Sequence, residues 1–386
     1  MTIVAKRPDL EARRFLLAMS IVPPPRHSGS DTVEALRRDW QLAIKAFATR
    51  DKVASVVERE IPGPDVRPLR IRAYIPKKKP SGLPVVAYFH GGGFVFGDLY
   101  TAGATARALA RRTGAIVVTV EYRLAPEYGL QDGRADCQAL VDWLAEHADE
   151  LGGDPTQLAV AGDSAGGGIA AVVAQTCRDN GLELKAQVLI YPVTDNPHEH
   201  TTDPVAIGLL TPERVDWITA QISKVNDLTD PTQTALHAED LSGLAPTILV
   251  TCGFDPLRDE GLAYKERLQE AGVTLQHLHY PGMIHGFVTL DRVLSAGGHA
   301  LDLIADGLRA AFKGRLEATE RENLPGFRLV NPLKVDAPQR IREVQVGTLV
   351  AVERFRQLRH AIHEVREPEL RDTEVHDPGV PTAQAS

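Results

Sequence analysis

The chain has 386 residues, of which 43% are hydrophobic, enough for a sizeable core and ordinary for a globular protein. Its formal net charge of −8 is spread over both signs along the chain, without the basic patch that marks a nucleic-acid-binding surface, and no stretch approaches the roughly 20 apolar residues of a membrane span. Cys137, Cys177 and Cys252 stand far apart and form neither a CxxC pair nor a Cys/His cluster. Neither a disulfide framework nor a structural zinc is therefore indicated, and a reducing compartment is expected.

Residues 1–50 read as helices broken by Pro23, Pro24 and Pro25. The apolar run Phe15 to Met19 is too short for a signal core and no small-residue cleavage pattern follows it, so the expected location is the cytoplasm. Val33, Leu36, Trp40, Ala43, Ile44 and Phe47 recur at helical spacing and predict one apolar helix face. From Val53 the pattern changes: 53–60 and 66–75 alternate apolar and polar residues, as exposed or edge strands do. Short continuous apolar runs follow at 85–89, 115–120, 158–161, 188–191 and 248–251, suited to parallel strands buried on both faces. Helical stretches near 101–112, 132–148, 165–179 and 258–271 separate them, and this alternation predicts a doubly wound α/β sheet.

Residues 196–240 interrupt the alternation. The stretch is polar, holds one helix predicted from Pro212 to about Val225, and is far longer than a usual connection between helix and strand. An insertion at this edge of the sheet is where a lid would sit. After a strand at 275–280 and a helix near 298–312 the sheet is expected to be complete. The expected division is thus an N-terminal helical segment at 1–50, a sheet domain at 51–313 carrying the 196–240 insertion, and an extension at 314–386 with a disordered tail.

Ser164 lies in Gly162-Asp163-Ser164-Ala165-Gly166. A GxSxG pentapeptide alone says little, but here the apolar run 158–161 precedes it and an Ala/Gly-rich helix follows, the strand-turn-helix that a nucleophile elbow requires. The glycines on either side leave room where side chains would collide, and the helix dipole favours a developing anion. His90-Gly91-Gly92-Gly93 follows the strand at 85–89 directly. Its unshielded N–H groups, with that of Ala165, can bind the oxyanion of a tetrahedral intermediate. A phosphate loop would want Lys and Ser/Thr next; Phe94-Val95-Phe96 follows instead and suits the wall of an acyl pocket.

A hydroxyl is a poor nucleophile near neutral pH, so a base must take its proton. Of thirteen histidines, His285 stands out: Pro281-Gly282-Met283-Ile284 precedes it and Gly286 follows, which places it on a mobile, exposed loop after the strand at 275–280. Asp255 lies just past the strand at 248–251 and before Pro256, at the strand's C-terminal end. The chain order Ser, Asp, His is that of α/β-hydrolases.

These residues carry a resemblance to the hormone-sensitive lipase family of esterases, in its bacterial branch. The similar stretches begin at His90 (HGGGFVFGD), Tyr122 (YRLAPE), Leu151 (LGGDP), Gly162 (GDSAGG), Asp255 (DPLRDEG) and Tyr280 (YPGMIHGF), and the resemblance spans about residues 50–312. It implies an α/β-hydrolase fold, a mostly parallel sheet with helices on both faces and a helical cap formed by the N-terminal helices and the 196–240 insertion. It implies a triad of Ser164, Asp255 and His285 and an oxyanion hole from the N–H groups of Gly92, Gly93 and Ala165. His90 and Gly91 would support the loop, and Asp163, Arg123, Glu127 and Glu260 are read as structural. Two departures stand out: a usual proline-rich turn after YRLAPE is replaced by Tyr128-Gly129-Leu130-Gln131-Asp132, expected to be looser, and the C-terminal extension has no counterpart.

The expected activity is hydrolysis of short- to medium-chain acyl esters through a Ser164 acyl-enzyme, with no metal or organic cofactor implied and a small-molecule ester as the partner. An amidase or formamidase with the same triad, and a catalytically silent binding protein, are the alternatives. Within the extension, Ile341, Thr348, Phe355 and Ile362, with Val344, Ala351, Leu358 and Val365, recur every seven positions. This stripe is expected to bury itself on its own sheet domain or against a second subunit as a homodimer.

Overall fold

The structure, a computed structural model, describes Ala5 and residues 7–21, 32–65, 67–195, 208–228 and 234–322. Nine strands form one sheet: β1 (Ser55–Ile61), β2 (Leu69–Ile75), β3 (Leu83–Phe89), β4 (Ile116–Val120), β5 (Gly153–Asp163), β6 (Ala186–Ile190), β7 (Thr247–Phe254), β8 (Leu275–Ile284) and β9 (Thr319–Glu322), in the order β1-β2-β4-β3-β5-β6-β7-β8-β9. Only β2 runs against its neighbours, pairing antiparallel with β1 and β4; every other pair is parallel. The continuous apolar runs predicted as inner strands are those strands, and the reason is visible in β3. Val85, Ala87 and Phe89 enter the core on one side of the sheet, Val86 and Tyr88 that on the other, so each residue of the strand must be apolar.

Helices cover both faces. Leu140 and Val141 of α4 (Leu130–His147), Ile169 and Val173 of α5 (Ala165–Asp179), and Tyr264 and Leu268 of α7 (Arg258–Glu270) fill one core. Ala106 and Leu109 of α3 (Gly103–Thr113) and Ile304 and Leu308 of α8 (Ser295–Ala311) fill the other, joined by Ala12 and Phe15 of α1 (Leu10–Ile21). Each Leu, Ile, Val or Phe among them contributes about 1.5–3 kcal/mol on burial.

Three expectations need correction. Residues 66–75 do not give an exposed or edge strand: β2 lies inside the sheet, and only its outward positions, Arg70 and Arg72, produce the alternation, pairing with Glu58 and Glu121. The sheet does not end before residue 314, since β9 adds a parallel edge strand to β8; its sequence Thr-Glu-Arg-Glu has no apolar pattern to announce it. The turn after YRLAPE is not loose. Asp132 accepts the Gly129 N–H at 2.9 Å and Asn226 accepts that of Leu130 at 2.8 Å, which fixes the start of α4. The seven-residue stripe of the extension and all of 196–207 lie outside the described residues.

Candidate active site

The strand-turn-helix around Ser164 is the junction of β5 and α5. Ser164 has φ 55° and ψ −122°, a backbone that costs a non-glycine residue about 1–3 kcal/mol and persists only where its surroundings hold it. They do so through three bonds: the Ser164 N–H donates to Ile190 O at 2.8 Å, and its carbonyl accepts from Val193 at 3.0 Å and Gly168 at 3.1 Å. The flanking glycines are steric necessities. A Cβ on Gly162 would lie 2.1 Å from Gly166 O, and one on Gly166 2.1 Å from Phe89 O.

Ser164, His285 and Asp255, read separately from the sequence, come together at the C-terminal ends of β5, β8 and β7. Ser164 Oγ and His285 Nε2 are 2.9 Å apart, and His285 Nδ1 and Asp255 Oδ2 2.8 Å. All three are buried. The carboxylate can only accept, so Nδ1–H donates to it and Nε2 is left to accept the serine proton. Asp255 Oδ1 accepts the Leu257 N–H at 2.9 Å, and Cys252 Sγ stands 3.1 Å from Oδ2.

His285 is not on an exposed loop. β8 continues to Ile284, which pairs with Phe254, and His285 follows at 6% exposure. Residues far away in sequence hold the neighbourhood: Asp9, just before α1, donates its N–H to Gly282 O at 2.9 Å, and Glu11 accepts both the N–H and the hydroxyl of Ser295. Tyr191 packs beside the imidazole, with ring centroids 4.7 Å apart.

The glycine turn after β3 packs against the elbow, where a Cβ on Gly166 would lie 2.5 Å from His90 O. The Gly91 N–H is taken by Asp163 Oδ1 at 2.9 Å, an oxygen that also accepts the Tyr88 hydroxyl. Asp163 thereby ties the turn to the residue preceding Ser164. Burial pushes its pKa up. The N–H groups of Gly92, Gly93 and Ala165 meet no acceptor among the described residues. Gly93 has φ 59° and Ile218 lies over it, so close that a Cβ would sit 2.8 Å from Ile218 Cδ1. His90 stacks on Tyr122, whose hydroxyl donates to His90 O at 2.6 Å, and burial lowers its pKa to about 4. Its Nδ1 is engaged by the Gly91 carbonyl and the Tyr122 hydroxyl, and the ring stays neutral at ordinary pH.

Helix α2 (Val33–Phe47) and helix α6 (Pro212–Ile222) meet over this turn. Leu36 of α2 and Ile218 and Ile222 of α6 pack with Val95 and Phe96, and Phe96 stacks on Trp217 with centroids 5.7 Å apart. Arg37 of α2 forms a bidentate pair with Glu127, both contacts at 2.8 Å, and also donates to Val95 O. Beside α5, Phe94, Leu130, Val172, Val193, Ile222 and Leu228 line much of a cavity of about 30 Å³. Arg123 is held by Asp136 and Asp65, and Glu260 accepts the Thr194 and Asp195 N–H groups. Among the described residues no cluster of three His, Cys, Asp or Glu is placed to hold a metal.

A family model described as the alpha/beta hydrolase fold matches residues 86–289, which hold the glycine turn, the elbow, Asp255 and His285. The chain belongs to this family, in its hormone-sensitive-lipase-like branch. It is 41% identical over 301 residues to carboxylesterase NlhH of Mycobacterium tuberculosis, covering 76% of this chain and 93% of that one. To esterase LipI of the same organism it is 39% identical, covering 78% and 95%. Among solved structures, an ester hydrolase from the metagenome of Lake Arreo, complexed with a bipyridine phosphonate derivative, aligns with TM-score 0.74 at 37% identity over 79% of this chain and 99% of that one. An esterase of Pyrobaculum calidifontis aligns with TM-score 0.69 at 36% identity, over 76% and 97%. No described helix of the α/β-hydrolase is long and apolar enough to cross a membrane.

Sequence reasoning missed the supports of the site: Cys252 beside Asp255, Asp9 and Glu11 on the β8 side, Tyr122 under His90, and Arg37 on Glu127. Tyr122 and Glu127 stood inside the YRLAPE stretch without a partner being named for them, and Cys252, Asp9, Glu11 and Arg37 carried no signal beyond residue type.

Proposed function

We propose that this α/β-hydrolase is a serine carboxylesterase whose acyl-enzyme forms on Ser164. The reading is carried by the unbroken hydrogen-bonded run from Asp255 through His285 to Ser164, at 2.8 and 2.9 Å. His285 Nε2 takes the Oγ proton as Ser164 attacks the ester carbonyl, and Asp255 holds the imidazole in the tautomer that can do so. The oxyanion is met by the free N–H groups of Gly92, Gly93 and Ala165. Collapse expels the leaving alkoxide, which takes from His285 the proton that Ser164 gave up; water then attacks the acyl-enzyme as His285 takes its proton, and that proton returns to Ser164 Oγ as the acid leaves.

The helices at 1–50 and the insertion at 196–240 act as the cap, supported by the packing of α2 and α6 on Val95 and Phe96. Short to medium acyl chains are the proposed substrates, with Val95 and Phe96 beside the glycine turn as the apolar wall that would receive them. The relatives named carboxylesterase and esterase support ester over amide. A cytoplasmic location is supported by the cysteines, all buried and free. The stripe within residues 338–368 is proposed to dock on its own hydrolase domain or, as the sharper reading, on a second copy of the chain.

Matched substrates test the activity. A nitrophenyl ester of a two- to six-carbon acid is expected to be cleaved orders of magnitude faster than the anilide of the same acid. Faster cleavage of the anilide would make the enzyme an amidase, and cleavage of neither would make it a binding protein.

A further inference from the structure

Three residues before Asp255, β7 carries Cys252, which is fully buried. On a regular strand, residues i and i+3 point to opposite faces. Here the pairing of β7 with β8 shifts register between Cys252 and Phe254. Gly253 is pressed so close to Pro281 that a Cβ on it would lie 2.0 Å from the Pro281 carbonyl oxygen. Such an irregularity re-aims side chains, and the result is that Cys252 Sγ stands 3.1 Å from Asp255 Oδ2. That is the oxygen which accepts the His285 Nδ1–H at 2.8 Å.

We propose that Cys252 is a positioning residue for acyl transfer: its S–H donates to Asp255 Oδ2 and sets how strongly that oxygen holds the protonated His285. The proposal rests on the esterase reading. Burial, reinforced by the Asp255 carboxylate, pushes the thiol well above its ordinary range, so the sulfur keeps its proton and faces the carboxylate as a donor. The same burial, and the contact of His285 Nε2 with Ser164, leave it no part as a nucleophile. With Leu257 N–H on Oδ1, both oxygens of Asp255 are fixed before substrate arrives. An oxygen that shares its charge between two donors stabilises an imidazolium less than one that faces the ring alone. The thiol thus limits how tightly Asp255 Oδ2 can hold the ring once it carries the serine proton.

The test is the pH profile of kcat/KM for a short-chain nitrophenyl ester, measured on the full chain and on Cys252→Ala, Cys252→Val and Cys252→Ser. Without the donor, in the Ala and Val variants, the acid limb is expected to move up by a few tenths to one pH unit. Cys252→Ser, whose hydroxyl can donate, is expected to keep the wild-type limb. Val fills the space that Ala vacates, so it reports even if Ala fails to fold. An acid limb unmoved in both Ala and Val, whatever the plateau rate, overturns the proposal, as does a Ser variant shifted as far as Ala. Ser164→Ala, assayed alongside, separates the two levels: if it is inactive while the Cys252 limbs stay put, only the role of Cys252 is lost, whereas turnover by Ser164→Ala would remove the reading beneath it.

Discussion

The acid of the site has two carboxylate neighbours in sequence, and geometry separates them. Asp255 reaches His285, whereas Asp259 is engaged by Arg258 at 2.7 Å and Glu260 is turned to the Thr194 and Asp195 amides. Asp255→Asn should therefore keep the fold and lower kcat by roughly 10⁴ by offering the wrong tautomer partner, while Asp259→Asn stays near wild type; steady-state kinetics that reverse this ranking would move the acid to residue 259. Gly93 is a second residue-level test. At φ 59° beneath Ile218, Gly93→Ala would strain the turn or lift α6, and a loss of about 10²–10³ in kcat is expected for a displaced oxyanion donor. Ser164, Asp255 and His285 were legible as candidates because each sits in a local motif. Their surroundings were not: the end of β8 that leads to His285 is tied to Asp9, more than 270 positions away.

At the scale of elements, α2 is fastened to the glycine turn by its apolar face and by the Arg37–Glu127 pair. That pair is half-exposed and worth no more than about 1 kcal/mol, so Glu127→Gln should leave the global transition nearly unchanged. It should instead speed hydrogen exchange locally in Val33–Phe47 and raise KM, because the helix covers Val95 and Phe96; exchange unchanged in that helix would show that the apolar face alone holds it. The inner strands were legible because burial on both faces forces continuous apolar runs, and α2 because one face repeats at helical spacing. β9 was invisible for the opposite reason: a four-residue polar edge strand is placed by pairing with β8 and by the Lys265–Glu320 contact at 3.0 Å, neither of which leaves a local pattern. Residue 252 escaped notice because an irregularity in the strand, not its alternation, aims the thiol.

For the whole molecule, two buried histidines set the acid side of the stability curve. Burial lowers His90 and His279 each to about 4, while the unfolded chain protonates near 6.5. Stability from each is fully present above 6.5 and is lost as pH falls from there toward 4, because the unfolded state binds more protons in that window. Melting temperature should drop between pH 6.5 and 4.5, and His279→Leu, which leaves Thr251 its contact with His277, should flatten the drop; an equal slope would assign it elsewhere. The triad and the three N–H groups of the glycine turn and elbow all precede β9 in the chain, so a chain ending at 323 should keep kcat. Light scattering then distinguishes the fates of the stripe: a dimer that becomes a monomer supports pairing, and an unchanged mass rules it out.

The central claim is a covalent intermediate on Ser164, and the most direct measurement is mass spectrometry of the protein after treatment with a fluorophosphonate, with Ser164→Ala as control. The account predicts one adduct per chain, located on the peptide holding Ser164, complete loss of ester hydrolysis in step with labelling, and neither labelling nor turnover in Ser164→Ala, whose kcat should be lower by on the order of 10⁶. An adduct on another residue, or a Ser164→Ala protein that retains more than a few per cent of the activity, would contradict it.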